Sequence, residues 1–232
     1  MISATVAGTT QRRKPSVIVP NSSFSITHAR SETDMMVVES IRQLAYCVDR
    51  PFETFESEDD GVNPQSLHAY ISFSGKPVGV SRITLGDMVE ELPFLKHCTE
   101  KPSREIICAM GEIGRFACSK QAKKEAGLSN TVRDSIPLIL YNLKATLEMS
   151  ACAGIKYWGM FIDARLKSCI EEFGGVLPAA GPSKCWPVNT KFLRVPCIVS
   201  IRDFSENMRL HNEDHWNFLT DKGSLMDQIP SD

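Results

Sequence analysis

Glu112 and Arg115 place a carboxylate and a guanidinium three residues apart inside an otherwise apolar, strand-like segment, residues 106–118. Buried charges are costly unless they are paired or used. In a regular strand this odd spacing sends the two side chains to opposite faces. A β-bulge at Gly114 would bring both toward one cleft, and bulges are common beside active sites. A carboxylate there can take a proton from an amine or anchor an ammonium. The plainer reading is an internal salt bridge within a strand. Cys118 invites a nucleophile hypothesis, but no histidine lies near it in sequence, and inert packing is expected. His68 reads as a core or network histidine within a strand.

The run Glu112-Ile113-Gly114-Arg115-Phe116-Ala117-Cys118-Ser119-Lys120 resembles the signature strand of acyl-homoserine-lactone (autoinducer) synthases. It is more similar still to that of the related N-acyl amino acid synthases. Upstream, Arg42-Gln43-Leu44-Ala45-Tyr46-Cys47-Val48-Asp49-Arg50-Pro51-Phe52 resembles the end of their first helix. Glu58-Asp59-Asp60-Gly61-Val62-Asn63 resembles the acidic motif after that helix, and Ser66-Leu67-His68 and Gly75 to Arg82 match the next two strands in order. The resemblance spans about residues 34–196.

It implies an α/β chain with the fold of the GCN5-related N-acyltransferases (GNAT), a central mixed sheet with helices on both faces. It also implies an N-acyltransferase. Such an enzyme moves a fatty-acyl group from an acyl thioester, on acyl carrier protein or coenzyme A, to a small amine, here an amino acid. Glu112 and Arg115 then belong to the catalytic cleft, and Arg42, Asp60 and Arg82 to the network shaping the amine pocket. Phe116, Leu140, Leu143, Leu147, Trp158 and Met160 lie on the elements between which the acyl chain enters. The basic cluster Lys120, Lys123 and Lys124 suits docking of an acidic carrier protein or a pantetheine phosphate. Residues 121–127 lack the glycine-rich phosphate loop of acetyl-coenzyme A users, which favours a carrier-protein donor.

Three departures weaken the S-adenosylmethionine pocket of true autoinducer synthases. Asn63 replaces the second acid of the loop motif, and Gly114 stands where serine is usual. The expected tryptophan is absent, with Phe52 near its place. An autoinducer synthase using S-adenosylmethionine is therefore the second reading. A degenerate acyltransferase fold acting as a binding module is the third.

The 232 residues suffice for one domain with a substantial core. The expected division is a loose arm over 1–22, one acyltransferase domain over 23–219 and a frayed tail over 220–232. Hydrophobic content of 42% and charged content of 23% are those of ordinary globular proteins, and a net charge of −2 gives no global field for nucleic acid. No stretch has the length of a membrane span, and the N-terminus lacks a signal-peptide pattern. The eight cysteines show neither CxxC pairs nor metal-like spacing with histidine. A reduced, cytoplasmic chain with no metal and no tightly bound cofactor is expected.

These residues must be held by a recognisable order of elements. A strand at 24–27 precedes a helix capped by Thr33, with Val37, Ile41, Leu44 and Val48 on its stripe and Pro51 as its stop. An irregular acidic loop spans 53–65. Strands 69–73 and 78–85 flank a hairpin signal at Ser74-Gly75-Lys76-Pro77. A short helix is expected over 87–92, then the signature strand. Ser135 is expected to cap a long helix with Pro137 in its first turn. Strand 155–162, a helix capped by Asp163 and ending at Gly174-Gly175, strand 191–201 and a helix within 203–219 complete the order.

Overall fold

A computed structural model of the chain describes residues 23–49, 63–88, 91–129, 131–185 and 192–230. The expected arm over 1–22 and most of the acidic loop, Asp60 included, lie outside the described residues.

Among the described residues, seven strands form one sheet in the order β1-β2-β3-β4-β5-β7-β6. They are β1 Phe24–His28, β2 Ser66–Phe73, β3 Lys76–Leu85, β4 Met110–Cys118, β5 Tyr157–Asp163, β6 Lys184–Cys185 and β7 Leu193–Ser200. All neighbours pair antiparallel except β4 and β5. The β2–β3 turn is two residues, Ser74 and Gly75, with φ of 49° and 79°. Positive φ at both positions matches the right-handed twist of the flanking strands.

The period of two in the strands sorts the side chains. Ala69, Ile71 and Ile83 enter the larger core, under α4 Val132–Ala153. Tyr70 and Val80 face the other way, into a smaller core under α1 Glu32–Gln43. Helices therefore cover both faces, as expected. The larger core is closed by α5 Ala164–Glu172, α6 Ile201–His211 and α7 Glu213–Leu219. A short α2, Arg104–Cys108, precedes β4, and α3 Lys120–Glu125 comes directly after it.

Several local expectations shift, each for a physical reason. The cap of α1 is Ser31, because Asp34 three residues on completes a capping box that Thr33 lacks. The apolar side of α1 is Val38, Ile41 and Ala45, while Val48 is exposed. Residues Leu44–Val48 wind as a π turn, closed by the Asp49 N–H donating to the Leu44 carbonyl at 2.8 Å. The apolar run Ile106-Ile107 belongs to α2, capped by Ser103, so β4 starts at Met110. A short apolar run cannot by itself tell helix from strand. The helical turn expected over 87–92 falls partly outside the described residues, and a 3₁₀ turn forms at Pro93–His97. Helix α4 begins at Val132, placing Pro137 inside it, and Ser135 instead donates back to the Thr131 carbonyl at 2.9 Å. The C-terminal helix is two helices broken at Asn212. The segment after 219, expected to fray, packs instead, with Leu225 and Ile229 buried in the main core.

Asp163 caps α5 as expected, accepting from the Arg165 and Leu166 N–H groups at 2.9 and 3.4 Å. Gly174, with φ of 100°, lies just past its end. Among the described residues no helix is long and apolar enough to cross a membrane, and no group of side chains has the make-up of a metal site.

Candidate active site

Strands β4 and β5 pair over only four residues, Met110–Ile113 with Tyr157–Met160. Beyond that, β4 stays on β3 and β5 runs along β7 to Asp163. The sheet therefore opens at the C-terminal ends of its parallel pair. The opening continues into a cavity of ≈ 730 Å³ whose walls include Glu112–Cys118 and the Trp158–Asp163 stretch of β5.

Glu112 and Arg115 reach the same face through a β-bulge. Arg82 opposes Gly114 and Val80 opposes Ala117, so two residues of β4, Arg115 and Phe116, stand against one residue of β3. The bulge lies one residue beyond the expected Gly114. Arg115 itself carries φ of 49°, a left-handed conformation uncommon for a residue with a β-carbon. This turns its guanidinium over the Tyr46 ring, 5.2 Å from the centroid, on the α1 side of the sheet. Glu112 is buried on that side too, and its Oε2 accepts the Phe94 N–H at 3.0 Å. Phe116 turns to the opposite side and packs against the larger core.

A polar network adjoins this wall, and Arg82 within it borders the cavity. Arg42 is fully buried. It and Arg82 both donate to Asn63 Oδ1, at 3.0 and 3.2 Å. His68 Nε2 donates to the Asn63 carbonyl at 3.4 Å, so His68 is a network histidine. Asn63, a departure from the acidic pattern, is thus where two guanidiniums converge. Gly114 has a matching role: a β-carbon there would lie 3.2 Å from Arg82 Nη2. The missing side chain leaves room for the guanidinium.

The other candidates divide. Phe116, Leu143, Trp158 and Met160 border the cavity, together with Leu138 and Ile139 of α4. Leu140 and Leu147 are buried in the core and do not border it. Leu140 lies about 100° around the helix from Ile139, which takes it off the cavity face. Trp158 is fully buried, donates Nε1–H to Ser150 Oγ at 2.8 Å and meets Phe204 edge-on. Lys120 and Lys124 are exposed, but Lys123 is only 5% exposed and donates to Ser135 Oγ at 3.2 Å. Lys120 and Lys123 border the cavity, so they form its rim rather than a flat patch. The Lys120 N–H donates to Asp49 Oδ2 at 2.5 Å. Cys118 accepts a weak bond from Asn142 Nδ2 at 3.6 Å. Elsewhere, burial pushes the Cys197 thiol up to about 11.

Sequence reasoning missed Tyr46, Phe94 and His97. The signal for the last two was Pro93, which marks a turn start but not the strand that the turn will meet.

No family model matches the chain, and no curated protein matches its sequence. Its fold has clear counterparts among solved structures. TofI, solved in a ternary complex with an inhibitor and MTA, superposes with a TM-score of 0.57 at 14% identity, over 80% of this chain and 95% of TofI. FeeM, an N-acyl amino acid synthase from uncultured soil microbes, gives 0.57 at 12% identity, over 82% of this chain and 97% of FeeM. BjaI, a coenzyme A-dependent acyl-homoserine lactone synthase solved with SAM and isopentyl-CoA, gives 0.54 at 16%, over 85% and 84%. At these identities the likeness is one of fold, and the fold is that of the GCN5-related N-acyltransferases.

Proposed function

We propose that this protein is an N-acyltransferase, moving a fatty-acyl group from an acyl thioester to the amine of a small acceptor, an amino acid. The observation that carries this reading is the bulge at Arg115, which brings Glu112 and Arg115 to one wall of a cavity opening between parted parallel strands. Such a site has a place for each participant. The donor's extended arm lies along the edges of β4 and β5, and its chain enters the apolar part lined by Leu138, Leu143, Trp158 and Met160. Arg115 and Phe116 stand outside the regular β3 ladder, and their backbone N–H groups are the proposed donors to the thioester oxyanion. Glu112 binds the acceptor's ammonium. Arg42, Arg82 and Asn63 hold that wall rigid, and Asp60 is proposed to join them.

Thioesters react directly with amines, so no covalent enzyme intermediate is needed. The amine nitrogen forms the C–N bond, the C–S bond breaks, and the thiol leaves with one proton. Holding both partners in line supplies much of the acceleration.

The donor is proposed to be acyl carrier protein rather than coenzyme A, on the lysine rim and the missing glycine-rich phosphate loop. Cysteine usage supports a cytoplasmic setting. The fold relative solved with SAM keeps S-adenosylmethionine as the competing acceptor. Mass spectrometry of lipids from expressing and non-expressing cells tests the reading, because the product reveals both substrates. The expected outcome is a new family of N-acyl amino acids. Acyl-homoserine lactones would establish the competing acceptor, and an unchanged profile would count against acyl transfer.

A further inference from the structure

The 3₁₀ turn that brings Phe94 to Glu112 also brings His97 to the same cavity. His97 is only 8% exposed, and its ring lies flat on Phe161, with centroids 3.9 Å apart and planes 14° apart. Stacking fixes the ring plane, which a floating surface histidine lacks. Glu112, by contrast, already has one carboxylate oxygen committed to the Phe94 N–H.

We propose that His97 is the base that takes the proton from the acceptor's ammonium, while Glu112 anchors that ammonium. The assignment rests on the acyl-transfer reading. The ammonium gives one N–H proton to the imidazole, and the freed lone pair forms the C–N bond to the thioester carbon. The C–S electron pair leaves on sulfur, which takes the second N–H proton as the tetrahedral centre collapses. The imidazolium returns its proton to solvent. The products are an amide, a thiol and one proton, with no oxidant or further reactant.

The surroundings suit a base that is neutral at pH 7. Burial comes first in holding the imidazole below its ordinary value, then Lys96 on its own turn, Lys184 on β6 and Arg194 on β7. Glu112 on β4, Asp163 at the end of β5 and Arg165 in the first turn of α5 border the same cavity, and Cys98 is next on the chain. A ring held neutral chiefly by burial, with the cations adding to it, is in the form that accepts a proton, and it gives that proton up again after each turnover.

His97→Phe separates this role from packing, because it keeps a flat ring on Phe161. The assay uses hexadecanoyl thioesters of carrier protein and coenzyme A with a panel of amino acids. In the wild type, kcat/KM is expected to fall on the acid side with an apparent pKa below 6.5. In His97→Phe, turnover at pH 7 is expected to drop roughly 10²–10⁴-fold. Its residual rate should climb about tenfold per pH unit, as only the free amine reacts. A folded His97→Phe enzyme with wild-type turnover and an intact acid limb overturns the assignment. So does a wild-type ring whose titration by NMR fails to coincide with the acid limb of kcat/KM. A wild type inert with every pair removes the acyl-transfer reading itself, and the base with it. An active wild type indifferent to His97→Phe removes the base alone.

Discussion

Glu112 has two tasks that one substitution can separate. Its Oε2 holds the Phe94 N–H, and glutamine can still accept that bond through its carbonyl oxygen. Glu112→Gln should therefore melt close to the wild type while losing roughly 10²-fold or more in turnover, as expected when a charged group at the reacting centre is neutralised. Glu112→Leu should also lose stability, by about 1–3 kcal/mol, because a buried N–H is left without its acceptor. Thermal melts and steady-state rates on both variants check this pair; equal melting of the two would remove the structural task. Asn63 offers a second residue-scale test. Asn63→Leu withdraws the oxygen on which Arg42 and Arg82 converge. Bonds to charged groups are worth about 1.5–3 kcal/mol each, so a loss of that order should appear in denaturant unfolding. Glu112 and Arg115 were legible in the sequence because charges inside an apolar run demand a reason. Asn63 was legible only as a departure, since nothing local says that an amide will face two arginines. His97 was invisible, because its partners come from β5, β6 and β7.

At the scale of elements, α4 carries the test of the acyl pocket. Leu143 borders the cavity, whereas Leu147 is buried core away from it. Leu143→Ala should lengthen the preferred acyl chain and Leu143→Phe should shorten it. Each buried methylene is worth about 0.8 kcal/mol, or roughly fourfold in preference. Leu147→Ala should cost about 2–5 kcal/mol in stability and leave the chain-length profile unchanged. A profile that shifts equally with both leucines would end the distinction. Trp158 is a poorer probe than its size suggests, because its hydrogen bond to Ser150 makes it core as well as wall. Strand and helix order was readable from periodicity and turn chemistry, as at Ser74-Gly75 and Asp163. The bulge was expected at Gly114 because glycine is the residue that most easily adopts positive φ. The fold instead puts that conformation on Arg115 and uses Gly114 to make room for Arg82.

For the molecule as a whole, two of the buried histidines, His97 and His215, contribute to the acid side of its stability. Burial is the leading cause that lowers His97 and His215, with the Phe173 backbone bond partly opposing it at His215. Their unfolded forms titrate near 6.5 and bind protons more readily than the folded ones. Stability from both is thus complete above that value and is lost as pH falls toward their folded values. Melting temperature should decline below about pH 6.5, and His215→Phe should flatten part of the decline. An unaltered slope in that variant would take His215 out of the account.

The π turn at Leu44–Val48 has a consequence in terms of chain length. One residue more than an α-helix needs is wound into it, and both Tyr46, under Arg115, and Asp49, on the Lys120 N–H, are placed by that surplus. Removing one of the five takes out that surplus, so the turn can close as an ordinary α turn and the side chains it presents to Arg115 shift, while every retained side chain keeps its identity. The cleft is therefore more exposed to a single-codon deletion here than to many substitutions.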